Sequence, residues 1–99
     1  MATKETIKRE IKEYIDKEGG EYEDWYVGIA TSPKDRLFND HNVDEENDQW
    51  IYNTAESHDI AREIEEYFIE TVGTDGGQGG GDSSTKSVYT YKKTPDTKE

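Results

Sequence analysis

The sequence predicts an α+β domain: a small, mostly antiparallel three-stranded sheet flanked by helices. Three observations carry that expectation. Apolar residues recur with helical spacing in residues 3–18 and 58–71. They alternate with period two in residues 24–30 and 86–93. The order is helix, strand, helix, strand, helix, strand, with strands too short and too few for a large parallel sheet.

In residues 3–18, Ile7, Ile11, Tyr14 and Ile15 share one helical face, and Lys8, Arg9, Glu13 and Lys17 take the other. Thr3 or Thr6 caps the start, and Gly19-Gly20 ends the helix. In residues 24–30, Trp25, Val27 and Ile29 fall on one face of a strand, with Tyr26 and Gly28 on the opposite face. Gly28 leaves room for another group or a ligand to approach the backbone. Ser32-Pro33 signals a helix start, with Ser as cap and Pro at the first helical position. That helix covers residues 33–40, anchored by Leu37 and Phe38, and an acidic loop follows at 41–48.

Residues 49–54 read as a second strand. Trp50, Ile51 and Tyr52 run together, which suits a buried central strand. Ser57 caps the helix at 58–71, whose inner side carries Ile60, Ala61, Ile64, Tyr67, Phe68 and Val72. The glycine-rich run at 73–85 is a loop, either a flexible connector or backbone lining a site. Residues 86–93 form the third strand, with Val88 and Thr90 on one face and Tyr89 and Tyr91 on the other. One domain over residues 1–93 and a flexible tail at 94–99 complete the expected organisation.

Composition narrows the function classes. The 99 residues carry 24 acidic and 12 basic side chains, a net charge of -12, and only 29% are hydrophobic. Binding nucleic acid by counterion release needs Lys and Arg, so generic DNA binding is disfavoured unless a local basic patch or a bound cation inverts the field. With no cysteine, disulfides, thiolate zinc sites and cysteine nucleophiles are excluded. The absence of a long apolar run argues against a membrane span, and a cytoplasmic protein is expected.

The candidate chemistry lies in a few side chains. Glu65 shares a helical stripe with Ala61, Phe68, Ile69 and Val72. A carboxylate there is costly unless it is paired, metal-bound or able to reach water. Arg36 has the planar fork that suits a phosphate, or else an ion pair with one of many nearby acids. Tyr26, Tyr89 and Tyr91 project from one side of the sheet if the strand faces are as assigned. His41 and His58 sit at loop or cap positions, where a histidine is either simply exposed or an acid–base group near neutral pH.

Tyr26-Val27-Gly28, with Arg36 eight residues after the glycine, resembles the second half of the name motif of the GIY-YIG nuclease superfamily and its essential arginine. In YVGIATSPKDRLFNDH, His41 matches a histidine often found a few residues on. Ala61-Arg-Glu-Ile-Glu65-Glu-Tyr-Phe68-Ile69 is similar to the family's metal-binding glutamate helix. The likeness covers roughly residues 25–80. It departs in two places. The family's first strand is missing before Tyr26, and the expectation is that SVYTYKK takes its place beside Tyr26, with Tyr89 or Tyr91 replacing the missing tyrosine. The family's asparagine after the glutamate helix has only Gln78 as a weak substitute.

The resemblance implies a metal-dependent endonuclease acting on DNA. One Mg²⁺ (or Mn²⁺) is then held by Glu65, Arg36 binds phosphate oxygens, and a tyrosine orients or deprotonates the attacking water. The alternative is a non-catalytic interaction or regulatory protein on the same scaffold. Its acidic surface, with Asp44, Glu45, Glu46 and Asp48, then binds a basic protein partner or mimics DNA.

Overall fold

Alternation in two strands gives the sheet two distinct faces, and the rest of the chain is arranged to cover both. The computed structural model describes residues 3–76 and 84–98. Strands β1 (Trp25–Ala30), β2 (Trp50–Thr54) and β3 (Ser87–Lys92) form an antiparallel sheet in the order β1-β3-β2. Strand β3 pairs with β1 in the register Tyr26↔Tyr91, Gly28↔Tyr89 and Ile29↔Val88. It pairs with β2 through Trp50↔Tyr91, Ile51↔Thr90 and Tyr52↔Tyr89.

One face packs on α1 (Lys4–Glu18) and α3 (His58–Glu66, continuing in wider turns as Tyr67–Val72). Ile7, Ile11 and Ile15 meet Trp25, Val27, Ile29 and Val88 there, together with Ala61, Ile64 and Phe68. Each buried isoleucine contributes roughly 1.5–3 kcal/mol, more than any cap or exposed ion pair on the helix. Helix α1 is therefore held by packing. Its ends match expectation: Thr3 accepts from the Thr6 N–H, and the Gly19 N–H donates to the Ile15 carbonyl.

The other face is covered by α2 (Pro33–Asp35, widening over Arg36–Asp40) and by residues 41–43. Leu37 and Val43 join Tyr26, Ala30, Tyr89 and Tyr91 in a second, largely aromatic cluster. The wide turn has a consequence for position. The His41 N–H bonds to the Arg36 carbonyl five residues back, and the chain then turns inward through Asn42, which has φ 58°. His41 is thereby carried over the sheet instead of into solvent.

Two expectations are corrected. Strand β2 is an edge strand, not a central one, because β3 inserts between β1 and β2. Its aromatic run reflects packing on the second face, where Trp50 stacks on Tyr52 and meets Phe38 edge-on, and Tyr52 remains 40% exposed. The Ser32 side chain makes no cap bond; its carbonyl accepts from the Arg36 N–H instead. Residues 94–98 form a turn that returns to His41 and Asn42 through three hydrogen bonds.

The first part of the glycine-rich run lies along the free edge of β1. Asp75 bridges Tyr26 in parallel, accepting from the Val27 N–H and donating to the Trp25 carbonyl. Gly76 follows where a Cβ would collide with Ile69 and crowd the Val27 carbonyl, so only glycine fits this approach. Gln78 lies outside the described residues. Among the described residues no helix is long and apolar enough to cross a membrane.

The Thr90 hydroxyl is fully buried between Val27 and Ile51 and has no hydrogen-bond partner among the described residues. Replacing it with an isosteric methyl removes an unmet polar group. Thr90→Val should therefore raise unfolding stability by about 1 kcal/mol, measured by urea denaturation, and a loss of stability would refute this account of the core.

Candidate active site

Gly28 is the starting point. Its cross-strand partner is Tyr89, and a Cβ on Gly28 would lie 2.6 Å from both the Tyr89 hydroxyl oxygen and the ring carbon that bears it. The missing side chain lets the Tyr89 ring lie directly across the β1 backbone. The gap anticipated beside Gly28 is thus filled by a side chain of the chain itself.

The three expected tyrosines do come together. Tyr26 stacks near Tyr91 and Tyr89, with ring centroids 5.1 and 6.2 Å away. His41 packs on Tyr26 at 4.7 Å. It caps the turn Arg36–Asp40, as its expected loop or cap position allows, but at 4% exposure it is buried and not simply exposed.

The hydrogen bonds of His41 define its tautomer. Nδ1 lies 2.6 Å from the Lys98 carbonyl oxygen, which can only accept, so Nδ1 carries the proton. In the neutral ring Nε2 is then an acceptor, and it lies 2.7 Å from the Tyr89 hydroxyl. The result is a chain: Tyr89 O–H to His41 Nε2, and His41 Nδ1–H to the Lys98 carbonyl. The Tyr91 hydroxyl lies beside it, donating to the same carbonyl at 3.2 Å and 3.1 Å from Nδ1. Burial lowers the His41 pKa, which favours this neutral form.

The Tyr89 hydroxyl is also where the other candidates act. Burial raises its pKa strongly, and Tyr26 and Glu65 push it the same way. The charge and N–H groups of Arg36 oppose them. Arg36 otherwise pairs with Asp40, Nε to Oδ2 at 3.1 Å, on a half-exposed surface. An exposed i,i+4 pair of this kind is worth only about 0.3–0.5 kcal/mol, so a phosphate could compete for the guanidinium at small cost. Of the two sequence readings of Arg36, the ion pair with a nearby acid is the one seen here.

Glu65 is 4% exposed. It has no hydrogen-bond or ion-pair partner among the described residues, and desolvation lifts its pKa to about 7, with Glu66 adding to the rise and Arg62 opposing it. Glu65 is thus largely buried, with no ion pair or hydrogen bond among the described residues to offset its desolvation. Among the described residues no three His, Asp or Glu side chains form a cation cage. A lone carboxylate still fits Mg²⁺, which commonly keeps several waters and takes its remaining oxygens from substrate phosphate.

The other sequence candidates lie apart from this cluster. His58 is bound to the Thr85 carbonyl at 3.0 Å and ties the chain before β3 to the start of α3. The acidic loop is internally braced: Asp44 accepts from the Glu46 and Asn47 N–H groups, and Asp48 accepts from the Asp44 N–H. Two members of the site were not anticipated. Asp40 was signalled by its i,i+4 spacing from Arg36, whereas the Lys98 carbonyl carries no side-chain signature. No protein-family model, curated protein or solved structure matches this chain.

The carboxylate makes a signed prediction. A glutamate whose pKa is raised on folding favours the protonated native state, so its destabilising effect grows as pH rises from the unfolded value of 4.5 to about 7. Glu65→Gln should gain stability over the wild type across that window, reaching on the order of 2 kcal/mol and levelling off above it. Urea unfolding of both proteins across the window checks this, and a pH-independent difference would contradict it.

Proposed function

We propose that this chain is a GIY-YIG-like nuclease domain that hydrolyses phosphodiester bonds in DNA with the help of a divalent cation. In this reading β3 stands where the family's first strand would lie, and Tyr89 serves as the replacement tyrosine. The observation that carries it is the Tyr89 hydroxyl, hydrogen-bonded to a buried His41 and acted on by both Arg36 and Glu65.

The chemistry follows from these groups. A buried phenol is a poor base on its own, and here its proton has an acceptor in His41 Nε2. As the Tyr89 proton moves to Nε2, the phenolate oxygen can take a proton from water attacking phosphorus. The positive ring that forms is stabilised by its Nδ1–H bond to the Lys98 carbonyl. Arg36, released from Asp40, binds the non-bridging phosphate oxygens, where charge builds in the transition state. Glu65 would hold Mg²⁺ or Mn²⁺, which supplies Lewis-acid stabilisation of the scissile phosphate and leaving oxygen.

One observation favours the alternative, a non-catalytic protein that binds a basic partner. The net charge is -12, and Arg36 is already paired with an acid. Nicking of supercoiled plasmid in Mg²⁺ separates the readings. The nuclease reading expects cleavage that falls about 10²–10³-fold in Tyr89→Phe, Arg36→Ala and Glu65→Gln. A folded wild type that does not cut, or cutting retained in all three variants, would remove it.

The charge also predicts an unusual salt response. Proteins that hold DNA through many basic contacts lose affinity steeply with salt. Here added salt screens net repulsion, since the Debye length shrinks from about 10 Å at 0.1 M to about 3 Å at 1 M. Cleavage at subsaturating DNA should hold or rise between those limits, and a steep fall would indicate a basic binding surface that this account lacks.

A further inference from the structure

We infer that residues 94–98 are a positioning device for His41, with the main-chain carbonyl of Lys98 as the group that sets the ring's tautomer. The inference deepens the nuclease reading and rests on it for its catalytic meaning, although its structural content stands separately.

After β3 the chain makes a tight turn. The Thr97 N–H donates to the Thr94 carbonyl at 3.2 Å, the Thr94 N–H donates to the Thr97 hydroxyl oxygen at 3.0 Å, and the Asp96 N–H donates to Thr94 Oγ1 at 3.2 Å. The turn reverses the chain onto the loop after α2. Asn42 Nδ2 donates to the Asp96 carbonyl at 2.9 Å, and the Lys98 N–H donates to the His41 carbonyl at 2.7 Å. The Lys98 carbonyl then meets His41 Nδ1 at 2.6 Å. Lys98 therefore holds the histidine at both its backbone and its ring.

The chemical consequence is specific. A free neutral imidazole favours the proton on Nε2. With that tautomer Nε2 could not accept the Tyr89 proton, and the unprotonated Nδ1 would face a carbonyl oxygen, acceptor against acceptor. The Lys98 carbonyl excludes that arrangement and leaves Nε2 open as the base. A carboxylate commonly fills this orienting role for a catalytic histidine. Here a neutral carbonyl does so, which orients the ring without adding another negative charge to a chain that already carries -12.

The lysine side chain is not part of the device, so two substitutions at one position separate backbone from side chain. Lys98→Ala keeps the N–H and carbonyl, whereas Lys98→Pro removes the N–H that docks the segment. Nitrogen-15 shifts of the His41 ring, recorded above its titration range in full-length protein, report the tautomer directly. The expected result is Nδ1–H in the wild type, in Lys98→Ala and in Tyr91→Phe, with Nε2–H appearing in Lys98→Pro. Cleavage in Lys98→Pro should fall about 10²-fold.

An Nε2–H ring in the wild type overturns the inference, as does an unchanged ring in Lys98→Pro. A switch in Tyr91→Phe overturns it by assigning the orienting role to the Tyr91 hydroxyl. If Lys98→Pro does not fold, the wild-type and Tyr91→Phe spectra still decide the assignment. The tautomer does not depend on turnover. A protein with the expected ring states that cuts no DNA refutes the nuclease reading and leaves the positioning role intact.

Discussion

The close approach of the Tyr89 ring to the backbone of Gly28 is the constraint on which the site depends. It requires β3 beside β1, in the register that sets these two residues opposite each other. It also requires that Gly28 have no Cβ, since one would stand 2.6 Å from the phenol oxygen. Because of that seating, the hydroxyl meets His41 where the wide turn after Arg36 delivers it. A one-residue slip would turn both tyrosines of β3 to the opposite face, into a core built for Val88 and Thr90.

Against this ordered aromatic cluster stands Glu65, a carboxylate the fold accommodates poorly. Structural roles for a buried acid normally come with a basic or N–H partner, and none occurs among the described residues. Such a residue weakens the protein near neutral pH, a cost that a cation bound as proposed would offset. The wider charge pulls the other way: 24 acids against 12 bases repel the phosphates this site would cut. The two facts act at different ranges. Net charge governs encounter and is screened by salt, whereas Arg36 and a cation at Glu65 would act within contact distance.

Much of this was legible in the sequence. Alternation in β1 and β3 placed Tyr26, Tyr89 and Tyr91 on one face, because each side chain's direction follows from a period of two. The offsets from Ala61, Phe68 and Val72 placed Glu65 at the edge of the buried stripe for the same kind of reason. What escaped has no periodicity to reveal it. The burial of His41 depends on a wide helical turn and a left-handed Asn42, and the role of Lys98 belongs to its carbonyl, which every residue has. The edge position of β2 was missed because strand order is a long-range property. A run such as Trp50-Ile51-Tyr52 reads the same whether burial comes from two neighbouring strands or from aromatic stacking at an edge.

Hydrolysis as proposed requires Glu65, Arg36 and Tyr89 to face one cation-binding site. Titration with Mn²⁺ followed by amide NMR tests it most directly, since the paramagnetic ion broadens signals according to distance. The account predicts broadening centred on Glu65 that reaches Arg36 and Tyr89, displaced by excess Mg²⁺ and lost in Glu65→Gln. Broadening confined to the 44–48 loop, with Glu65 unaffected, would contradict it and leave an acidic surface attracting cations without a site.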